Sequence, residues 1–273
     1  MYDNWEDGCK ETIAQIQKIY NSTPTTFCLC GGDWLGHSDL PDEACYKLGF
    51  INAFMKSMFD NCYMLLGNHD TNYQGRKDIE SSPWTTKLSK QAYTNLWYRN
   101  EGKTYFSFKG SNTVFYCFDS GAENEPLSAR DGCGFEQLKW FAESLQINDS
   151  AHIALSMHMV YPFSIEKGVQ PLAQAIFDVA EAFNERSEID VNGVIYDFSN
   201  AFGRVEFMIS GHTHFDANTV ICGIPCIVSV HTSALIGSPT LDLVFVDYDK
   251  REVKLIRIGY GENRTISLDS IYS

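Results

Sequence analysis

Four short segments of this chain carry residue types that hold divalent cations: Gly31-Gly32-Asp33-Trp34, Gly67-Asn68-His69-Asp70, Ser156-Met157-His158-Met159 and Gly211-His212-Thr213-His214. Carboxylate, amide oxygen and imidazole are donors that a borderline-hard ion such as zinc, manganese or iron accepts together. A carboxylate such as Asp33 is also the group that most readily bridges two ions. Glycines just before Asp33, Asn68 and His212 let the chain turn sharply enough for these side chains to converge. Taken singly, each segment has a plain alternative: Asp33 or Asp70 as a helix cap, Asn68 as a left-handed turn residue, a histidine as a surface or core residue. The ordered set is much harder to obtain from packing alone.

All four segments sit where strands should end. Thr26 to Cys30, Cys62 to Leu66, Ala151 to Ser156 and Val205 to Ile209 are short apolar runs of the kind that form buried strands, and open α/β sheets place their sites beyond the carboxyl ends of such strands. Between them, residues from Glu11 to Tyr20, from about Glu43 to Phe59, from Phe135 to Leu145 and from Gln170 to Phe183 repeat apolar positions at helical spacing. Thr104–Phe108 and Thr113–Asp119 flank Lys109-Gly110-Ser111-Asn112 and predict a hairpin. Further strands are expected at about Ile227–Val230, Leu241–Tyr248 and Val253–Ile258, with a turn at Asp249-Lys250. Alternating helix and strand is the rhythm of an α/β fold. One domain over 1–273 is expected, with an insertion at about 71–100. That insertion is polar, carries Tyr73, Arg76, Lys77, Trp84, Tyr93, Trp97 and Tyr98, and shows no clear period.

Composition narrows the partners. The chain has 273 residues, 44% of them hydrophobic, and a formal net charge of -14 at pH 7. That acidic balance argues against a nucleic-acid partner, which would need a basic surface, while a small anionic substrate stays compatible if a metal supplies positive charge locally. Nine cysteines are too scattered for a disulfide framework, and the expectation is reduced thiols and a cytoplasmic chain, as given, that does not cross a membrane; an export signal upstream of it stays open. Cys28-Leu29-Cys30 places two thiols on one strand face, but no second pair of matching spacing completes a zinc motif.

GGDW, LLGNHD, the His158 segment and GHTH, in that order, resemble the calcineurin-like metallophosphoesterase family, and the hairpin followed by FEQLKWF resembles the segment joining that family's two halves. The resemblance implies a four-layer α/β/β/α sandwich with two mixed sheets and the site on loops at one edge. It implies that Asp33 is the bridging carboxylate, that Asn68, His158 and His212 complete the second metal's ligands, and that His214 is a ligand of the first metal. His69 would be a catalytic non-ligand histidine that protonates the leaving oxygen or stabilises the transition state, with Asp70 orienting it. The implied activity is hydrolysis of a phosphomonoester or small phosphodiester by a metal-activated hydroxide, with Mn, Zn or Fe as the cofactor and two ions in the complete family site.

One element of the family pattern is missing. An Asp-x-His at the end of a first strand supplies the remaining ligands of the first metal, yet only MYDNWEDGCK precedes the first helix, and the residue two past Asp3 is Trp5. Either a strand belongs upstream of Met1, or the protein is divergent and keeps one metal. The first is favoured because the second-metal ligands are all retained. The sheet is then expected to lack its first strand, and metal content to be near one ion per chain on the His212 side. The competing reading is an inactive or one-metal relative serving as a binding scaffold. His37, His152 and His231 are assigned mainly to structure, with His231, after the apolar strand at Val228, near enough to the site edge in sequence to be an accessory group.

Overall fold

In the computed structural model, the described residues are 14, 16–22, 27–35, 41–70, 103–120, 133–162, 164–230 and 240–269. Asp3, Trp5, His37, His231 and the 71–100 segment with Arg76 and Lys77 lie outside them. Residues 16–22 are helical (α1), and three longer helices follow: Pro41–Met58 (α2), Cys133–Gln146 (α3) and Pro171–Glu185 (α4).

The larger sheet is mixed and has six strands. In spatial order they are Phe106–Lys109 (β3), Thr113–Phe118 (β4), His152–Met157 (β5), Arg204–Ser210 (β8), Ile224–Val228 (β10) and Ala217–Ile221 (β9). The inner four run parallel, and β3 and β9 close the edges antiparallel. Its outer face carries Phe118, Leu155, Met157, Val205 and Met208. These pack against Leu138, Phe141 and Leu145 of α3 and Ile176, Phe177, Ala180 and Phe183 of α4. The three- and four-residue spacing in each helix is the reason one stripe faces the sheet.

Its inner face carries Phe108, Phe115, Cys117, Ala154, Phe207 and Ile227. They meet Leu65, Val253, Leu255 and Ile266 from a second β-layer. That layer contains Cys28–Cys30 (β1) paired parallel with Cys62–Met64 (β2), and Leu241–Asp247 (β11), Glu252–Ile258 (β12) and Arg264–Ser267 (β13) in antiparallel order. Among the described residues no ladder joins these two pieces. On the far side of β1 and β2, Cys30, Met64 and Leu66 pack on Ala44, Leu48, Ile51, Met55 and Phe59 in and just beyond α2. The result is the expected α/β/β/α order of layers.

Four strands lie outside the sequence expectation, β13 and three more. Glu188–Val191 (β6) and Val194–Asp197 (β7) form a separate hairpin through Asn192 at φ 53° and Gly193 at φ 82°. Asn-Gly is a strong local hairpin signal, but of the flanking strand residues only Val191 and Tyr196 are buried, so no long apolar run draws attention to it. β9 is similarly mixed, with Ala217, Asn218 and Thr219, and it is held by pairing with β10 rather than by its own pattern. β10 begins at Ile224, earlier than Ile227, because Ile224 and Pro225 pair with Ile221 and Val220. No helix among the described residues is long and apolar enough to cross a membrane.

Candidate metal centre

Parallel register brings the four segments to one edge of the sandwich. Cys30 stands opposite Met64, so the loops after β1 and β2 leave side by side, and Met157 stands opposite Ser210, so His158 and the Gly211 turn do the same. The Gly211 amide then donates to the His158 carbonyl at 2.9 Å, and the Ser210 hydroxyl donates to that carbonyl at 3.1 Å.

The first two loops are tied together by Asp70. Its carboxylate, fully buried, accepts the backbone amides of Asp33 (2.8 Å), Trp34 (2.6 Å), Leu35 (3.1 Å) and Gly67 (2.8 Å). In return the His69 amide donates to Asp33 Oδ1 at 3.0 Å. Burial and the neighbouring Asp33 charge push the Asp70 carboxyl up, while the amide donors oppose them. A Cβ on Gly67 would fall 2.0 Å from Asp33 Oδ1 and 2.4 Å from Asp33 N, and one on Gly32 would fall 2.7 Å from Gly67 N. Glycine at these two places is therefore a requirement of loop contact, and at Gly32 (φ 99°) of backbone conformation as well. Asp33, His212 and His214 are themselves left-handed, at φ 61°, 70° and 61°. Such residues cost on the order of 1–3 kcal/mol each and concentrate at functional sites.

Each imidazole is oriented by a carbonyl. His158 donates Nδ1–H to the Gly31 carbonyl at 2.6 Å, which leaves the lone pair on Nε2; His212 donates Nε2–H to the Pro162 carbonyl at 2.9 Å, which leaves it on Nδ1. Ligand atoms of Asp33, His158 and His212 all lie within 4.8 Å of one another. His158 Nε2 is 3.0 Å from Asp33 Oδ2, yet this buried nitrogen has no aligned hydrogen bond. Two acceptor atoms that close repel unless a cation or proton lies between them. The donor set therefore suits a divalent ion.

The electrostatics describe a site that attracts positive charge, which at His158 means a proton competes with a metal ion. Burial opposes ionisation of Asp33, but the His158 and His69 side chains outweigh it and hold the carboxyl well below the usual range. Burial likewise opposes charge on His158, and Asp33 and the Gly31 carbonyl raise its affinity for a proton nonetheless. Burial lowers His212, which favours the neutral form a ligand must have.

The other expected residues are placed as follows. Asn68 is buried in the loop after β2. His69 is half-buried, with Nε2 3.9 Å from Asp33 Oδ2. His214 is exposed and is not among the three residues whose ligand atoms lie within 4.8 Å of one another. His152 is structural: it bonds Glu206 at 2.8 Å and stacks on Tyr248 with ring centroids 3.5 Å apart.

The sequence reading missed a support beneath the GHTH loop. Arg257 donates to both Asp216 oxygens (2.8 and 2.7 Å) and to Asp242 (2.7 and 3.2 Å), and Arg264 reaches the same two carboxylates at 3.2 and 3.3 Å. The signal was present in β12, where Val253 and Leu255 set a period-two inward face and Arg257 falls on it.

A family model described as calcineurin-like phosphoesterase matches residues 5–216. The chain belongs to the calcineurin-like phosphoesterase family. Membership supports metal-dependent phosphoester hydrolysis in general terms. Among solved structures it is similar to a purple acid phosphatase from yellow lupin (Lupinus luteus) seeds, at 13% sequence identity and a TM-score of 0.56. The match covers 96% of this chain and 51% of that one, so the chain spans about half the length of the lupin protein, and the likeness is one of fold. No curated protein matches it significantly.

Proposed function

We propose that this phosphoesterase hydrolyses a phosphomonoester or small phosphodiester, with a divalent ion held by Asp33, Asn68, His158 and His212. The observation that carries the reading is the close, unaligned approach of His158 Nε2 to Asp33 Oδ2, with the His212 lone pair beside it. A divalent ion bound there supplies Lewis-acid polarisation of a phosphoryl oxygen and lowers the pKa of water at neutral pH.

The chain's own residues do the rest. The carbonyls of Gly31 and Pro162 fix the tautomers of the two imidazoles, and Asp70 fixes the backbone from which Asp33 and His69 project. His69 is oriented through its own amide, remains partly open to solvent, and can hand a proton to the leaving oxygen as a general acid. Asp70 acts on His69 through the backbone loops rather than as a proton carrier. His214 and the residues outside the described part are left to a second ion, so one ion per chain is the expected content of the site described.

The test is hydrolysis of p-nitrophenyl phosphate and bis-p-nitrophenyl phosphate by the full chain with Mn or Zn added. Turnover that depends on the added metal and disappears in Asp33→Ala supports the reading. Bound metal with no turnover on either ester in the unaltered chain would favour the scaffold alternative.

A further inference from the structure

The parallel register of β1 and β2 places Cys28 opposite Cys62, and period two puts Cys30 on the same face as Cys28. All three thiols turn away from the sheet interface, where Leu29 and Tyr63 lie, toward the α2 side. Their sulfurs are in contact: Cys28 Sγ to Cys30 Sγ is 3.8 Å, Cys30 Sγ to Cys62 Sγ is 3.8 Å, and all three lie within 4.8 Å of one another. Sequence spacing alone hid this, since the third thiol arrives from the neighbouring strand.

Buried cysteines often serve as small apolar residues, and one or two here would need no other account. Three sulfurs meeting at one point are different. Tetrahedral thiolate zinc has a metal–sulfur distance of about 2.3 Å, which fixes its sulfur–sulfur edge at about 3.8 Å, the separation found here for two of the pairs. Hydrogen bonds from the Cys28 and Cys30 thiols, against burial and with Lys56 in the last turn of α2 adding positive charge, favour the Cys62 thiolate. The same thiol contacts and burial push Cys30 up until a cation takes the place of its proton. We infer that Cys28, Cys30 and Cys62 form a thiolate site for one thiophilic d10 cation of the zinc type, separate from the Asp33 centre.

The site binds by exchange of thiol protons for the metal ion, releasing up to three protons, and leaves the fourth tetrahedral position to solvent. It clamps β1 to β2 directly beneath the loops that carry Asp33 and Asn68. Thiolate donors select soft cations and leave manganese to the carboxylate, amide and imidazole donors of the phosphoesterase centre, so sulfur ligation marks metal at the thiolate site whichever ion the other centre holds.

The full chain, reduced and stripped of metal, is saturated with Mn and then titrated with Co. One equivalent of Co should bind with sulfur-to-metal charge-transfer absorption, and X-ray absorption of the zinc-loaded chain should show sulfur neighbours at about 2.3 Å. Cys62→Ser should lose that absorption and weaken zinc binding by at least about 100-fold, since a direct ligand matters more than the outer-shell partners that give 10- to 100-fold effects. Asp33→Ala should keep the absorption. Zinc surrounded only by nitrogen and oxygen, charge transfer surviving in Cys62→Ser, or a disulfide among the three cysteines in the metal-saturated chain would overturn the assignment. Should Cys62→Ser not fold, the X-ray absorption of the unaltered chain decides alone.

Discussion

The Asp70 carboxylate accepts the backbone amide of Asp33 at 2.8 Å, so the last residue of the GNHD motif holds the aspartate of the GGDW motif in place. The two motifs are one structural unit: Asp70 also accepts the amides of Trp34, Leu35 and Gly67. Replacing it removes a charged acceptor from four donors at once. Hydrogen bonds to charged groups contribute about 1.5–3 kcal/mol each, and buried donors left unmet cost more. Asp70→Ala should therefore destabilise the chain by about 3 kcal/mol or more, lowering Tm by roughly 6–12 °C at the 2–4 °C per kcal/mol usual for large domains. Metal binding should fall with it. Calorimetry with and without Mn checks both.

Gly67→Ala tests the contact between the same loops without removing a polar group. The added Cβ falls 2.0 Å from Asp33 Oδ1 and 2.4 Å from its amide nitrogen, and backbone cannot give way as a flexible side-chain end can. Overpacking of this kind costs about 1–3 kcal/mol. The expected result is a modest loss of stability and a disproportionate loss of metal affinity, measured by isothermal titration. Unchanged affinity would mean that Asp33 is not held by this contact.

Arg257 supports the GHTH loop from beneath, with its side chain 1% exposed between Asp216 and Asp242. Arg257→Met leaves those carboxylates with Arg264 as a charged partner, beside the Val230 amide on Asp216 and the Ser229 hydroxyl on Asp242. Breaking a buried pair typically costs 3–5 kcal/mol, and about 3 is expected here because Arg264 remains. Burial opposes ionisation of Asp216, but Arg257, the Val230 amide and Arg264 hold its carboxyl below the ordinary value. A depressed folded-state pKa gives stability that is present above the unfolded value near pH 4 and lost as pH falls through the folded one. Arg257→Met should thus flatten the acid side of the stability profile, which urea melts between about pH 2 and 6 resolve.

These relationships also show what could be read from the sequence. The strand-end glycines and ligand types are local, so Asp33, Asn68, His158 and His212 were legible from turn residues following apolar runs, and so were the helices behind them. What joins one loop to another was not. The family resemblance implies that Asp70 orients His69; the bonds Asp70 makes to Asp33, Trp34, Leu35 and Gly67 arise from loop contacts that a single sequence does not state. Arg257 and Cys62 depend on which strands lie side by side, and a single sequence does not state that. The Asn192-Gly193 hairpin is the opposite case, a local signal passed over because its strands are half-exposed.

His69 separates chemistry from metal binding. It approaches Asp33 Oδ2 only at 3.9 Å, farther than His158 does. General-acid assistance is typically worth roughly 10²- to 10⁴-fold, so His69→Ala should lower kcat by that much with the bound metal retained. Metal analysis beside steady-state kinetics checks the pair of outcomes. Loss of the ion in His69→Ala would make His69 a ligand instead.

The most direct measurement is Mn binding to the full chain followed by electron paramagnetic resonance, comparing the unaltered protein with Asp33→Ala, His212→Ala and Cys62→Ser. One Mn per chain should bind with nitrogen and oxygen donors, disappear in Asp33→Ala, weaken sharply in His212→Ala and persist in Cys62→Ser. Mn binding that survives Asp33→Ala undiminished would contradict the assignment of this strand-end cluster as the metal centre of the phosphoesterase.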